Sequence, residues 1–590
     1  MKTRDGFHRP ARNGGAKGCR RTSAALLILL SLAPATVAYG QGWPTLDSTG
    51  RSVERNPDLL EQNKPAPSPA VSVPPPTEKE PAESIFKSVF IGKVIVKGST
   101  VFTAEELARV TGPYENRHLT MTGLESLRRD LTLLYVNSGY INSGAVFPDQ
   151  TVEGGEITIN VVEGKLSSID VEGTKWFSGN FLRARIERGT GGPLDIRPLQ
   201  DRLQLLQQDQ RIQSIQAELR PGARPGESQL NVKVEEKSPF YVWLAFNNYQ
   251  PPSVGAERGM VTLAHQNLTG HGDVLSFTYG RSEGLNPLID TWYALPVNSY
   301  DTSFLFRYRK NDFNVVDNVF GALDIVSSSE SFELTLRQPL YRTLNHDLAL
   351  GLTLEHERNR TTLLGEPFSF SPGEDNGVSR VIPLRFSQEW TYRTQRQVIA
   401  ARSRLTFGLH VWDATFHDTR GTPDGRFFAW LTQLQWARVL GFLDTQILAR
   451  ADLQLANKSL LPIEQFAVGG RNSVRGYREN LLVRDQGVVA SLETRIPIVR
   501  NQRWADYLQI CPFFDFGRGF NRDLPSNGPS QIESIGVGLR WGVAAVSRRA
   551  FELRPEIELY WGHALRRIDV AREDVQDDGV HLQVALTSMF

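Results

Sequence analysis

Two hydrophobic periodicities run along the chain, and they change over near Pro239. Before that point apolar residues recur at helical spacing between short alternating runs. Residues 94–96 read as a strand closed by Gly98, and Thr103 with Glu106 has capping-box spacing for a short helix. Thr122 and Glu125 repeat that spacing for a longer helix. On it Leu124, Leu127, Leu131 and Leu134 share one face, and Gly139 ends it. Ile157, Ile159 and Val161 then alternate as a strand. The same order recurs: a strand over 166–171 followed by Gly173, a short helix over 179–188, and a longer helix carrying Leu199, Leu203 and Leu206. Two strands alternating at Ala217/Leu219 and Leu230/Val232/Val234 complete it. Each unit spans ~75 residues, small but sufficient to close a core.

Beyond Pro239 the helical spacing stops, and segments of about ten residues alternate with period two between Gly, Asn, Asp and Pro. Phe304, Phe306 and Tyr308 oppose Ser303, Arg307 and Arg309. Leu348, Leu350, Leu352 and Leu354 oppose Ala349, Gly351 and Thr353. Ile535, Val537, Leu539 and Trp541 oppose Gly536, Gly538 and Arg540. Leu553, Ile557, Leu559 and Trp561 oppose Glu552, Arg554, Glu556 and Glu558. The last strand sets Val580, Leu582, Val584, Leu586 and the terminal Phe590 against His581, Gln583 and Thr587. So many strands exceed one sandwich. A closed barrel with its apolar face to lipid and its charged face to a wet lumen leaves no unpaired edge. Sixteen strands allow about 22 residues per strand and connection, and fourteen or eighteen also fit. Trp243, Tyr249, Tyr279, Trp292, Trp390, Trp412, Trp504 and Tyr560 suit interfacial girdles, and Arg450, Asp452, Glu493 and Arg495 a solvated lumen wall.

Charge and composition narrow the setting. The 590 residues hold 66 Lys plus Arg against 65 Asp plus Glu, a net charge of +1. Residues 1–40 carry seven of the basic side chains and only one acid, so the rest is slightly acidic and lacks the basic footprint of nucleic-acid binding. That basic stretch, the apolar residues 24–32 and small residues offering cleavage after Ala38 or Gly40 read as a secretory signal peptide. No apolar run of helix-spanning length follows it. Two cysteines, Cys19 and Cys511, exclude a disulfide framework or thiolate zinc cluster. Residues 64–82 are proline-rich and read as an extended spacer.

Gly469 to Tyr477 read G-G-R-N-S-V-R-G-Y, and Phe513 to Gly517 supply an F-x-D-x-G strand. Parity puts Phe513, Asp515 and Gly517 on the lumen wall, with Phe514 and Phe516 toward lipid. Two small modules, a barrel, V-R-G-Y and then F-x-D-x-G, with Asn267-Leu-Thr-Gly-His-Gly-Asp273 early in the barrel, resemble the two-partner secretion outer-membrane transporters (TpsB type, the haemolysin activators and filamentous-haemagglutinin exporters). These sit within the superfamily of POTRA-plus-barrel proteins. The resemblance implies that the loop bearing Val474, Arg475, Gly476 and Tyr477 folds into the lumen, where Arg475 meets Asp515. A bidentate Arg–carboxylate contact is directional and would hold the loop in one register.

The expected fold is therefore a membrane β-barrel of sixteen antiparallel strands preceded by two small α/β POTRA domains. The expected boundaries are a signal peptide over 1–40, an N-terminal segment over 41–88, POTRA domains over 89–164 and 165–238, and the barrel over 239–590. The resemblance implies a pore secreting a large β-rich exoprotein, captured by the periplasmic POTRA domains and exported without ATP, cofactor or catalysis. Outer-membrane lipids and the barrel-assembly machinery are further partners, the latter through a C-terminal signal at Phe590; nucleic acid is not. The family's N-terminal plug helix is represented by a short candidate within 43–63, flanked by Pro44 and Pro57. An assembly factor that inserts other barrels shares these motifs, and a general porin or enzyme barrel is the remaining rival. Gly280-Arg-Ser282-Glu-Gly284 matches a hydrolase elbow in letters but reads as a turn. Gly536, Gly538 and Gly542 read as room for a plug.

Overall fold

The computed structural model describes residues 71–72, 88–152, 154–316, 320–419, 421–526, 528–548, 551–568 and 574–589. The leader, the short helix within 43–63, most of the proline-rich segment and Phe590 lie outside the described residues.

A two-residue strand β1 (Val71–Ser72) precedes the first module. The module then runs β2 (Val89–Ile91), β3 (Lys93–Lys97), α1 (Ala104–Thr111), β4 (Arg117–Leu119), α2 (Met121–Asn137), β5 (Gly144–Val146) and β6 (Glu156–Val162). β3 pairs parallel to β6, and β5 antiparallel to it. Leu107, Leu127, Leu131, Ile157 and Ile159 form the buried apolar layer between sheet and helices. The α1 capping box is present, with the Thr103 hydroxyl accepting from Glu106 N–H at 3.3 Å and Glu106 accepting from Thr103 N–H at 2.9 Å. The α2 cap differs from expectation: Thr120, not Thr122, accepts from Gly123 N–H, and Glu125 pairs with Arg128. Burial of Leu119 at the end of β4 fixes the chain two residues earlier than the apolar spacing alone suggested.

The second module runs β7 (Lys165–Glu172), α3 (Gly179–Glu187), α4 (Ile196–Gln207), β8 (Ile212–Pro221) and β9 (Glu227–Glu236), with sheet order β1-β8-β9-β7. Val71 lies opposite Ala217, so the proline-rich spacer is not purely extended linker: it supplies a parallel strand to the edge that β8 would otherwise leave unpaired. Leu182, Leu199, Leu203, Leu230 and Val232 are buried in the core. Gly139, at a φ of +98°, turns the chain after α2, and its carbonyl accepts from Ile196 N–H of the second module at 3.0 Å.

Sixteen antiparallel strands then close a barrel. The first eight are β10 (Phe240–Asn247), β11 (Arg258–His265), β12 (Val274–Arg281), β13 (Leu285–Pro296), β14 (Ser303–Asn314), β15 (Ile325–Arg342), β16 (His346–Leu363) and β17 (Pro383–Arg393). The others are β18 (Gln397–Gly408), β19 (Phe428–Val439), β20 (Gln446–Ala456), β21 (Gln486–Gln502), β22 (Ala505–Phe520), β23 (Gln531–Val543), β24 (Phe551–Ala564) and β25 (Val580–Met589). β10 pairs with β25 from Tyr241 opposite Met589 to Asn247 opposite Gln583, which completes the circle. Phe304, Phe306, Leu352, Ile535 and Val537 are exposed on the outer face, whereas Ser303, Arg307, Arg309, Thr353 and Arg540 are buried inside. That is the reverse of a soluble sandwich and the arrangement lipid demands. Most connections on the module side are short, such as 343–345, 394–396 and 503–504, and the longest, 457–485, leaves the far end.

Two sequence expectations change here. Trp243 and Tyr560 leave the girdle: both are buried on the inner face. Tyr249 also sits inside, its ring 6.3 Å from that of His581. Gly536, Gly538 and Gly542 make room for aromatic rings of neighbouring strands instead of for a plug. A Cβ on them would collide with Phe513, Tyr560 and Tyr507 respectively. Residues 280 and 281 end β12 and residues 282–284 form the turn to β13, with the Ser282 hydroxyl donating to the Val254 carbonyl at 2.7 Å.

Candidate functional site: a loop fastened inside the barrel

The connection from β20 to β21 does not extend away from the barrel. Within it Phe466–Val468 pairs antiparallel with Leu482–Arg484, making a small hairpin whose tip is residues 469–481. Val468, Val474, Tyr477 and Leu482 pack with Leu431, Val489 and Ile532 of the wall as a buried apolar cluster. Gly517 explains its place in F-x-D-x-G: a Cβ there would stand 2.3 Å from Val468 and 2.7 Å from Val474, so only glycine admits the two valines. Gly476 has a φ of +90°, and its backbone lies against Gly562 of β24. The Tyr477 hydroxyl lies 2.9 Å from the Glu533 carbonyl and 3.0 Å from that of Arg566.

Arg475 stands at the centre. Its Nε donates to Asp515 Oδ2 at 2.7 Å and its Nη2 to Oδ1 at 2.8 Å, and its backbone N–H adds a third bond to Oδ2 at 3.0 Å. Ser491 Oγ donates to Asp515 Oδ1 at 2.6 Å, and Arg475 Nη1 donates to Glu493. Glu493 in turn accepts from Arg495 Nε at 2.8 Å. Arg475 is 3 % and Asp515 0 % exposed, so the pair is withdrawn from water and held by directed bonds on every side. Phe513 lies across Gly536, with the Arg475 guanidinium 3.5 Å from its ring centre; Tyr560 lies across Gly538, with Arg471 4.0 Å from its centre. Small residue, flat ring and guanidinium thus stack in layers.

The structure brings Val474, Arg475, Gly476, Tyr477, Phe513, Asp515 and Gly517 together. Sequence reasoning missed the other fastenings. Arg471 pairs with Glu558 at 2.8 Å, Arg478 with Asp577 at 2.6 Å, and Arg385 of β17 with Glu464 at 2.9 Å. Asp485 accepts from the N–H groups of Leu460 and Arg522, each at 2.9 Å. The signal was there: Arg471, Arg475 and Arg478 sit three and four apart in one tip, and alternation already pointed Glu558 inward. Glu493 and Arg495 are buried ion-pair partners, not members of a solvated wall. The Asn267–Asp273 motif is the turn from β11 to β12, not part of the lumen. Asp273 accepts from Thr269 N–H at 2.9 Å, and the carbonyl of buried Gly270 accepts from Ser178 N–H of the second module at 2.9 Å.

Comparison with known proteins agrees with this architecture. Residues 89–164 match the ShlB-type POTRA domain model. The outer membrane transporter CdiB of Escherichia coli O6:K15:H31 is 25% identical over 407 residues, 67% of either chain. The heme/hemopexin transporter protein HuxB of Haemophilus influenzae strain 86-028NP is 21% identical over 469 residues, 77% of this chain and 80% of that one. The solved structure of CdiB from Escherichia coli has the same fold, with a TM-score of 0.62 at 21% identity over 90% of this chain and 95% of that one. Residues 226–541, more than half of the chain, match the model of the haemolysin secretion/activation proteins ShlB/FhaC/HecB, and the chain belongs to that family.

Proposed function

We propose that this outer-membrane transporter exports one large, β-rich exoprotein, and that the Arg475 loop is the latch that shapes its lumen. The family is one of outer-membrane two-partner secretion transporters, with the barrel in the membrane and the POTRA modules in the periplasm. In this reading the unfolded partner meets the modules first, by adding a strand to an open sheet edge or lying in a groove beside a helix. It then passes the loop, and folding at the surface biases its movement outward. No catalytic step and no ATP are assigned.

The observation that supports the latch is the Arg475–Asp515 contact, with Glu493 on the opposite side of the guanidinium. Removing one partner of such a pair leaves the other buried without its counter-charge, which costs about 3–5 kcal/mol. Arg475→Ala and Asp515→Ala should each reduce export of the cognate partner at least about tenfold, while heat-modifiable migration shows the barrel assembled. Unchanged secretion by both variants removes the latch from the reading. Crosslinking the modules in cells separates the alternatives: a secreted partner is expected, and captured barrel precursors would point to an assembly factor.

A further inference from the structure

A cavity of about 180 Å³ lies where the second module meets the periplasmic end of the barrel. Its walls are strongly cationic. Arg185, Arg188 and Arg202 enter from α3 and α4; Arg337, Arg342 and Arg393 come from the periplasmic ends of β15 and β17. Arg211 also lines it, but it is bound to Asp209 at 2.6 Å. Among the described residues two other carboxylates line the space, and Arg337 is also paired with Glu389 at 3.0 Å. Asp301 is shared by Arg185 at 2.7 Å and Arg342 at 3.0 Å; Asp347 lies 3.5 Å from Arg337 and 3.6 Å from Arg342. Among the described residues no carboxylate comes within 4.0 Å of Arg188, Arg202 or Arg393.

Ring and carbonyl contacts hold two of these guanidiniums in place. Arg185 stacks on Phe181 at 3.5 Å and donates to the Asn298 carbonyl at 3.0 Å. Arg188 stacks on Tyr300 at 4.1 Å and donates to the Ser299 carbonyl at 2.9 Å. Burial, and then the nearby Arg188 charge, hold Arg202 below the ordinary guanidinium value. Holding several like charges around one hollow is unfavourable unless an anion completes it.

We propose that this junction binds a phosphate-type anion, which ties the second module to the barrel. Planar guanidiniums approaching from two structural units suit a tetrahedral oxyanion, whose oxygens face several directions, better than a carboxylate, whose two oxygens share one edge. The phosphate could come from a phospholipid headgroup or be free in the periplasm. Leu340, Tyr341 and Tyr300 are exposed at this end of the barrel, which sets the hollow near headgroup level.

The test uses the full-length protein and the double variant Arg202→Gln/Arg393→Gln, which strands no carboxylate. Arg109→Gln, on the exposed face of α1, is the control. In one arm the proteins are exchanged from phosphatidylglycerol-containing nanodiscs into detergent, and bound lipid is counted by native mass spectrometry. In the other, lipid-free protein is titrated with inorganic phosphate or pyrophosphate, and thermal unfolding is followed. One retained phosphatidylglycerol in the wild type and the control, lost in the double variant, establishes the lipid source. An upward thermal shift with phosphate that the double variant lacks establishes the free anion. Identical behaviour of wild type and double variant in both arms overturns the proposal, as does binding of an acidic peptide with no phosphate response. Because export is not the readout, failure here leaves the latch reading untouched.

Discussion

Leu131 of the first module and Asp515 of the lumen are both 0 % exposed, yet they are buried by opposite means. Leu131 is surrounded by Leu107, Leu127, Ile157 and Ile159, and its neighbours would tolerate any apolar side chain of similar volume. Asp515 is surrounded by Arg475, Ser491 and the Arg475 backbone, and only a carboxylate satisfies all of them. The modules are stabilised by non-directional burial of apolar area. The lumen is organised by donors and acceptors with fixed directions. The difference teaches where specificity sits: the barrel gives its greasy side chains to lipid, and what remains to position the loop is charge geometry, backed by one apolar cluster at Gly517.

The sharpest way to break the comparison is an isosteric change. Asp515→Asn keeps the shape of the site and removes its charge, so it should loosen the loop almost as much as Asp515→Ala, by about 3–5 kcal/mol. Hydrogen exchange at residues 469–480 reads this, and a mild effect of Asn would mean that fit rather than charge holds the tip. Leu131→Ala is the counterpart in the module. It should cost about 2–5 kcal/mol, while Leu131→Met stays under about 1.5 kcal/mol, both read from protection of the β6 amides. Equal losses from Ala and Met would make the module core as exacting as the lumen. Thr103→Ala removes the α1 cap and should cost about 1 kcal/mol, confined to α1.

The smallest effect concerns the directed contacts that the first module does have. Burial opposes ionisation of Glu163, but hydrogen bonds from the Thr100 hydroxyl and the Thr100 and Val101 N–H groups outweigh it and hold the carboxyl below its ordinary value of 4.5. A depressed carboxyl stabilises the fold above its unfolded pKa, and the contribution is lost as pH falls through the folded value. Protection of the Thr100 and Val101 amides should therefore be flat above about pH 4.5 and decline on further acidification. Glu163→Gln should abolish that dependence; a variant that titrates like the wild type would place the effect elsewhere.

Much of this was legible in the letters. Period-two alternation placed Phe304 and Phe306 outside and Arg307 and Arg309 inside, because a strand has only two faces and lipid accepts only one kind. The Arg475–Asp515 juxtaposition was implied by the family resemblance, which rested on two short motifs whose order carried more information than either alone. Alternation also sides Tyr560 with Glu558, but aromatic residues suit both a membrane interface and a flat seat over glycine, so composition misled where parity did not. Two threonines two residues apart gave no means of choosing the α2 cap, since the choice rests on how deeply Leu119 is buried. Val71–Ser72 could not be seen at all: a two-residue strand has no periodicity, and its partner is some 145 residues away in the chain.

Three glycines from three segments meet behind the latch. A methyl at Gly476 would stand 2.8 Å from the Gly562 oxygen, one at Gly562 would reach 2.6 Å from the Gly476 nitrogen, and one at Gly579 would overlap the Gly562 oxygen at 2.0 Å. On the proposed reading, in which the finger yields to the passing chain, bare backbone slides over bare backbone without rotamers to unlock. On that reading the contact is a smooth rail and the ionic contacts are the brake. Alanine at any of these three distant codons should jam the same movement, and such alleles would group together genetically although nothing in their sequence positions relates them.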